Sequence, residues 1–239
     1  MIKAILFDLD GTLLPMDENK FIDLYISLLT KEAVSIGYDK DNFVKSLWSS
    51  TKKMYENNGI ITNEDVFWKT FSEFQNKDVS QDKIFFNKFY ETKFLQTKSV
   101  CEDNPLAKEI IKYAKNNFEY VILATNPLFP KVATLKRMSF VNLDENDFSY
   151  ITTYENSSYS KPNPNYFKNL LEKFNLKPDE VILFGNNVIE DAICAERVGI
   201  KTILVGNYII NSQNIKHNYL HIDMEEVIDL LENIKNSNK

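Results

Sequence analysis

The sequence predicts an α/β protein, with a Rossmann-like parallel-sheet core and an all-helical cap domain. Three observations support this fold class. An apolar run near the N-terminus ends in acidic residues, the long segment after it shows only helical periodicity, and short apolar runs alternate with helical patterns after residue 104. Short apolar strands that alternate with helices are typical of a parallel sheet with both faces covered.

The core is assigned to residues 1–14 and 104–239. Its first strand spans residues 2–7 and stops at Asp8. Gly199 follows the last core helix, because glycine suits the left-handed position after a helix. Further strands are expected over 120–125, 149–154, 181–184 and 200–205, and helices over 105–116, 128–138, 164–175 and 188–198.

Residues 15–103 are predicted to form the helical cap domain. Phe21, Leu24, Tyr25 and Leu28 recur at the i, i+3, i+4, i+7 spacing of an amphipathic helix that ends near Gly37. Most of the many aromatic rings here, including Trp48 and Trp68, are expected to form the core of the cap. Further helices are expected over 40–57, from a capping signal at 62–65, and over 81–96.

The composition excludes several classes of function. The chain has 239 residues and a net charge of −6, which argues against nucleic acid or an anionic membrane as a partner. No apolar run approaches the ~18–20 residues that span a bilayer. The two cysteines lack metal-site spacing, which argues against a disulfide framework or a zinc site. We therefore expect a soluble cytoplasmic protein, and no motif specifies its oligomeric state.

The first strand leads into the hexapeptide Phe7-Asp8-Leu9-Asp10-Gly11-Thr12. Side chains at i and i+2 of an extended chain point the same way, so both aspartates can face one centre. Two acids this close repel each other unless one holds a proton or a cation lies between them. The glycine permits a turn whose backbone N–H groups can approach an anion. An ordinary solvated Asp-Gly turn is the alternative interpretation.

The stretch FDLDGTL resembles the first motif of the haloacid dehalogenase superfamily, most members of which are phosphatases. The resemblance implies that Asp8 is the nucleophile and Asp10 the general acid and base. It also implies Mg²⁺ bound by the Asp8 carboxylate and the Asp10 backbone carbonyl, which suits an ion that prefers oxygen ligands. Gly11 and Thr12 are then expected to contribute to substrate binding.

Two later segments match further motifs of the same family. Thr125 and Asn126 follow the apolar run VILA, where the family has a Ser or Thr that binds phosphate, assisted by the next backbone N–H. Taken alone, such a pair is also a common helix cap. Lys161 lies in the loop Ser160-Lys161-Pro162-Asn163-Pro164 and matches the lysine that neutralises the nucleophile and the phosphate.

The stretch VILFGNNVIEDA resembles the fourth motif, with one departure. Many relatives have an aspartate directly after the glycine, where this chain has Asn186, and a second acid that corresponds to Asp191. Both are expected near the metal, but an amide offers it no negative charge. We expect metal affinity to be lower by roughly 1–3 kcal/mol, about 10- to 100-fold. Glu190 is interpreted either as a substitute acting through a water or as a first-turn helix acid.

The resemblance thus predicts a Mg²⁺-dependent phosphomonoesterase that acts on a small phosphorylated metabolite. A non-catalytic phospho-ligand binder is the main alternative and is favoured by Asn186. A haloacid dehalogenase tolerates asparagine in the last loop, but Asp10 argues against it because that chemistry needs no second aspartate. A phosphomutase would use the same two aspartates.

Overall fold

A parallel sheet of six strands organises the protein, whose computed structural model describes residues 1–237. The spatial order is β3-β2-β1-β4-β5-β6, and every neighbouring pair is parallel. This order confirms the prediction of a Rossmann-like α/β core. The strands are β1 Ala4–Phe7, β2 Tyr120–Leu123, β3 Tyr150–Ile151, β4 Val181–Gly185, β5 Lys201–Val205 and β6 Leu220–Ile222.

The helices fall into a consecutive group between β1 and residue 101 and a second group interleaved with the later strands. The first group is α1 Glu18–Ser35, α2 Lys40–Tyr55, α3 Asn63–Gln75 and α4 Ser80–Glu91, followed by a 3-10 helix over Lys93–Val100. The second group is α5 Ala107–Asn117, α6 Lys131–Phe140, α7 Asn165–Lys173, α8 Cys194–Glu196 and α9 Val227–Ser237, with a π-helix over Val188–Ile193 before α8.

Both faces of the sheet are covered, as the continuous apolar strands predict. Side chains alternate along β1, so that Ile5 and Phe7 join one apolar cluster while Ala4 and Leu6 join another. Helices α5 and α9 and the first helical group pack on the Phe7 face, whereas α7 and α8 pack on the opposite face. All four β1 side chains are buried, which explains why this strand lacks polar residues.

The first helical group leaves and rejoins the sheet at one place. Met16 and Cys101 form an antiparallel bridge, and the Glu102 N–H donates to the Pro15 carbonyl over 2.8 Å. We call the residues between these two crossings, 17–100, the helical insertion. Its centre is an aromatic cluster that includes Phe43, Phe71 and Phe86, all buried and in ring contact. The expectation that most rings serve packing is confirmed for these three. It is wrong for Trp48, whose side chain is 47% exposed.

Three predicted elements differ from those observed. The strand expected over 149–154 is short, because the Asn156 side chain bonds the backbone of Ile151 and Thr153 and begins a turn. The helix expected over 188–198 starts as a π-helix, in which the Asn187 carbonyl accepts from Ala192. The helix expected over 81–96 ends at Glu91 and continues as the 3-10 helix. Strand β6 and helix α9 were not predicted.

None of the helices within residues 1–237 is long and apolar enough to cross a membrane, as the sequence predicts. Cys101 and Cys194 are free thiols, which agrees with the absence of a disulfide framework.

Candidate active site

The carboxyl ends of three central strands lie side by side. Phe7, the last residue of β1, is in register with Leu123 of β2 and Phe184 of β4. The Asp8 N–H donates to the Phe184 carbonyl over 2.8 Å, so the pairing continues one residue beyond the strand. The residues that follow each strand therefore emerge at the same edge of the sheet, where ligands bind in such folds.

Lys161 connects two of the predicted site residues. Its ammonium lies 2.8 Å from Asp8 Oδ1 and 2.5 Å from Asp191 Oδ1, and all three side chains are buried. Burial alone would lower the pKa of Lys161, but Asp191 and Asp8 hold it well above its ordinary value. Burial raises the pKa of Asp8, and the charge of Lys161 opposes this rise. The cation thus offsets the crowding of two acids in a site with little water.

Asp191 is bound through both carboxylate oxygens. While Oδ1 pairs with Lys161, Oδ2 accepts the backbone N–H groups of Asn186 and Asn187 over 3.1 and 3.0 Å. A Cβ atom on Gly185 would lie 2.5 Å from the same Oδ2, so only glycine leaves room for this contact. Asp191 therefore orients Lys161 and the loop after β4, and its direct binding of a metal stays a prediction.

Asp10 is paired with Arg137, a residue that the motifs did not indicate. Arg137 Nη1 of α6 donates to Asp10 Oδ2, and the guanidinium lies 4.3 Å from the centre of the Phe129 ring. Burial raises the pKa of Asp10, and Arg137 works against that rise. The other oxygen, Asp10 Oδ1, is buried and has no hydrogen-bond partner within residues 1–237. The two aspartates of the first motif thus have separate cations.

Helical periodicity was the signal that could have identified Arg137. It lies at the i+3 and i+4 spacing from Thr134 and Ala133, two small residues that share its buried face of α6. A charged residue on such a face is expected to have a partner of opposite charge, because a lone buried charge is strongly unfavourable. The partner itself, Asp10, could not be read from the sequence.

Gly11, Thr12 and Asn186 form one contact group beside the two aspartates. Gly11 has φ +77°, and a Cβ there would lie 2.1 Å from Asn186 Nδ2, so its role is conformational. Its N–H donates to the Leu14 carbonyl over 2.8 Å, so this N–H is not free to bind an anion as the turn suggested. The Thr12 hydroxyl lies 3.4 Å from Asn186 Oδ1, while Asn186 Nδ2 donates to the Tyr208 carbonyl over 2.8 Å. The asparagine is thereby held in one orientation.

Thr125 and Asn126 are both adjacent to the carboxylates, in different ways. Thr125 is buried and lines the same cavity as Asp8 and Asp10. The Asn126 side chain bonds the backbone N–H and carbonyl of Lys161 and donates to Glu190 Oε2 over 2.8 Å. Its side chain therefore holds the lysine loop, and only its backbone is left for the predicted substrate contact.

Two further glutamates come near the site. Glu190 also accepts from the Tyr55 hydroxyl of α2 over 3.4 Å, and this contact joins the insertion to the loop after β4. Burial raises the pKa of Glu190. Asn126 and Lys161 oppose this rise without cancelling it. Glu18 lies at the start of α1, where burial together with the charges of Asp10 and Asp8 raises its pKa to about 8. The site thus has more carboxylates than cations.

The donor set suits a hard cation. Oxygen donors are available from the Asp8 carboxylate, the Asp10 backbone carbonyl and the Asn186 amide, and the buried Asp10 Oδ1 lacks a partner. Such oxygen ligands fit Mg²⁺, which keeps several waters and needs only one or two carboxylates. No group of three or more His, Cys, Asp or Glu side chains in the described chain is placed so that it could hold a metal ion by itself.

A cavity of about 280 Å³ opens above these residues, between the sheet edge and the helical insertion. Its floor contains the two aspartates, Thr125 and Asn186, and its upper wall comes from α1, α2 and α3. A small ligand in this cavity would contact both the carboxylates and the insertion. The site is therefore a covered pocket at the carboxyl edge of a parallel sheet.

Comparison with known proteins agrees with this architecture. The chain is 26% identical to glyceraldehyde 3-phosphate phosphatase from Pyrococcus furiosus, over 100% of this chain and 96% of that protein. Its fold resembles a HAD phosphatase from Thermococcus onnurineus with TM-score 0.62 and 19% identity, over 96% of this chain and 98% of that one. It also resembles the magnesium-bound putative HAD-hydrolase YfnB from Bacillus subtilis, with TM-score 0.56, 19% identity and the same coverage.

A family model settles the assignment that the first motif suggested. The model described as haloacid dehalogenase-like hydrolase matches residues 2–199, which include all four predicted motif segments. The prediction of a hydrolase of this superfamily is confirmed. The chain belongs to the haloacid dehalogenase-like hydrolase family.

Proposed function

We propose that the protein is a Mg²⁺-dependent phosphomonoesterase that acts through an aspartyl-phosphate intermediate. One observation carries the proposal: Asp8 and Asp10 lie together at the strand edge, and each has one oxygen neutralised by its own cation, Lys161 or Arg137. A second oxygen of each aspartate is left for chemistry. The relatives named as phosphatases support the same activity.

In the first step, Asp8 Oδ2 attacks the phosphorus of the substrate, and the bond from phosphorus to the alcohol oxygen breaks. Asp10 gives the proton held at its unpaired Oδ1 to the departing alcohol. In the second step, Asp10 takes a proton from a water that attacks the phosphorus, which releases phosphate and restores the Asp8 carboxylate. Atoms and protons balance over the cycle.

Lys161 and Thr125 stabilise the transferring phosphoryl group in this scheme. The ammonium offsets negative charge, and the threonine hydroxyl donates to a phosphoryl oxygen. Asp8, the Asp10 carbonyl and Asn186 would hold Mg²⁺, with Asp191 beside it. A bound Mg²⁺ supplies further positive charge that neutralises the phosphate oxygens.

The two parts of the chain have different roles in this scheme. Residues 1–14 and 104–239 form the catalytic core, and residues 15–103 form a cap that excludes water from the phosphoryl group. The substrate is a small phosphorylated molecule, and we propose a cytoplasmic location for the enzyme on the basis of its composition.

The direct test is phosphate release from an aryl phosphate with magnesium titrated against EDTA. Wild type, Asp8→Asn and Asp10→Asn are compared with Glu225→Gln, an exposed control on the far part of the core. We expect metal-dependent release that both aspartate variants lose by at least 10³-fold, because each supplies a group that no neighbour replaces. Equal rates in wild type and Asp8→Asn would refute the nucleophile.

Asn186 keeps a second candidate open, a phospho-ligand binder without turnover. The observation that favours this binder is the neutral amide of Asn186, at the position where the resemblance expects a metal-binding aspartate. Such a binder has no use for both a nucleophile and an acid, which is why the enzyme is preferred. Binding of inorganic phosphate without release from any ester would favour the binder. A phosphomutase would instead require a bisphosphate activator and release little phosphate.

A further inference from the structure

The cavity above the aspartates has a largely apolar wall. Aromatic and aliphatic side chains line most of it. They come from helices α1, α2, α3 and α4 and from the loop before α6. The aromatic rings that line the cavity include Phe21, Trp48, Phe67, Trp68, Phe86 and Phe129.

Several polar atoms in this wall are already paired with protein groups. The hydroxyls of Tyr25 and Tyr90 bond each other over 2.7 Å, and Trp68 Nε1 donates to the Tyr154 hydroxyl over 3.2 Å. The Thr51 hydroxyl donates to the carbonyl of Leu47 in its own helix. A polyol placed here would lose hydrogen bonds to water that these groups do not replace.

The charges around the cavity also select its ligand. Glu18 and Glu190 lie on the wall, and Arg137 is its cation among the described residues. Arg137 is already paired with Asp10. A second carboxylate or phosphate on the leaving group would therefore find no free cation to bind it among the described residues of this wall, and burial of an unpaired charge is costly. The wall favours a neutral alcohol.

We propose that the natural substrate is a phosphomonoester of a neutral, apolar alcohol, of the alkyl or aryl-alkyl class. The inference rests on the proposed phosphatase function. The phosphate would lie on the sheet edge beside Asp8, and the hydrocarbon group would lie against the aromatic wall. An apolar cavity of about 150 Å³ holds a benzene ring, so 280 Å³ admits a ring with a short chain or an alkyl chain of similar size.

The test is a series of straight-chain alkyl phosphates of increasing length, compared with glyceraldehyde 3-phosphate. Simple primary alcohols leave with similar intrinsic ease, so differences in kcat/KM report binding of the chain. Burial of each methylene is expected to raise kcat/KM about fourfold until the cavity is full. A six-carbon ester should exceed glyceraldehyde 3-phosphate by at least tenfold.

A matched pair of variants locates the effect. Trp48 lines the cavity and is 47% exposed, whereas Phe74 is 43% exposed and does not line it. Both side chains are partly exposed, so neither alanine substitution leaves a buried cavity and both variants should fold. Trp48→Ala should flatten the dependence on chain length, so that kcat/KM for the six-carbon ester falls at least tenfold further than kcat/KM for methyl phosphate. Phe74→Ala should preserve the whole series.

Calorimetry with alkyl phosphonates, which are not hydrolysed, separates the pocket from the chemistry. Turnover and phosphonate affinity that both rise with chain length support the inference. Turnover without any length dependence, or a preference for glyceraldehyde 3-phosphate, overturns it and leaves the phosphatase intact. Length-dependent binding with no phosphate release overturns the proposed function but not the apolar pocket. If neither phosphate release nor length-dependent binding is observed, the phosphatase function and the apolar pocket are both overturned.

Discussion

The side-chain amide of Asn186 donates a hydrogen bond to the backbone carbonyl of Tyr208 over 2.8 Å. An aspartate at this position could not make that bond, because an ionised carboxylate has no proton to donate. The asparagine in the fourth motif is therefore a structural element of this chain, in addition to the metal-ligand role that we propose for it. The two roles oppose each other, and they can be measured separately.

The substitution Asn186→Asp should strengthen Mg²⁺ binding and weaken the metal-free fold. We expect about 10- to 100-fold higher affinity from the added charge. Without metal, we expect a loss of about 1–3 kcal/mol in the free energy of unfolding, from the broken bond to Tyr208. Thermal unfolding in EDTA and across a magnesium titration measures both effects.

Asn187→Asp is the control, since it adds the same charge one residue away. Asn187 caps the π-helix through its side-chain oxygen, a role that aspartate can keep. It should change metal affinity less than Asn186→Asp. Equal gains from both variants would show that Asn186 has no special position toward the metal.

Arg137→Met should slow turnover and move the pH profile. Loss of the guanidinium removes a cation that lowers the pKa of Asp10, so that pKa should rise. If Asp10 acts as the acid, the alkaline limb of kcat/KM moves to higher pH, and kcat falls about 10- to 100-fold from lost orientation. Arg197→Met, at an exposed position, is the control. If the alkaline limb of kcat/KM did not move, Arg137 would not set the pKa of the general acid.

Asp191→Asn should destabilise the protein strongly. It would leave the buried Lys161 with one anionic partner and alter the contacts to two backbone N–H groups. Removal of one member of a buried ion pair costs about 3–5 kcal/mol. Urea denaturation measures the loss, with Glu225→Gln as the exposed control. A change below about 1 kcal/mol would mean that Lys161 does not depend on this carboxylate.

Glu18→Gln should stabilise the metal-free protein at alkaline pH. The pKa of Glu18 is about 8 in the folded chain, against 4.5 for an ordinary glutamate. The folded state therefore holds an extra proton between these values, and stability falls as pH rises through that window. Above pH about 8 the free energy of unfolding of the variant should exceed that of wild type by about 1–3 kcal/mol. Each pKa unit corresponds to about 1.4 kcal/mol, and solvent screening of this partly exposed side chain reduces the full value.

Below pH 4.5 the difference should vanish, because both states of wild type are then protonated. Denaturation midpoints measured across the pH range test this, with the exposed Glu91→Gln as a control in the same insertion. A constant difference at every pH would show that Glu18 does not titrate as its burial implies.

The parts of the fold that the sequence predicted best are those with strong local signals. Strand β1 is a continuous apolar run, and the acids after it appear where strand ends meet. Strand β6 was missed because Leu220 and His221 are exposed and show no burial pattern. Helix α9 has the i, i+4 pair Val227 and Leu231, a periodic signal that the sequence does contain.

The motifs named the candidate site residues one by one, but they did not indicate which of these residues contact each other. Lys161 matched a motif, yet its bridge between Asp8 and Asp191 depends on three segments that meet only in the folded sheet. Asn126 matched a motif as well, but its side chain holds the lysine loop. Local patterns identify which residue types are present, and the tertiary structure decides which of them touch.

The bridge between Met16 and Cys101 has a consequence for how such an enzyme can diversify. Because the two crossings of the chain are neighbours, the insertion leaves and re-enters the core at one place. Loop-closure entropy changes slowly with the length enclosed, so modules of quite different size can occupy the same two anchor points. Mutation can therefore reshape the part of the cavity wall that the insertion supplies, while the aspartates at the sheet edge keep their geometry.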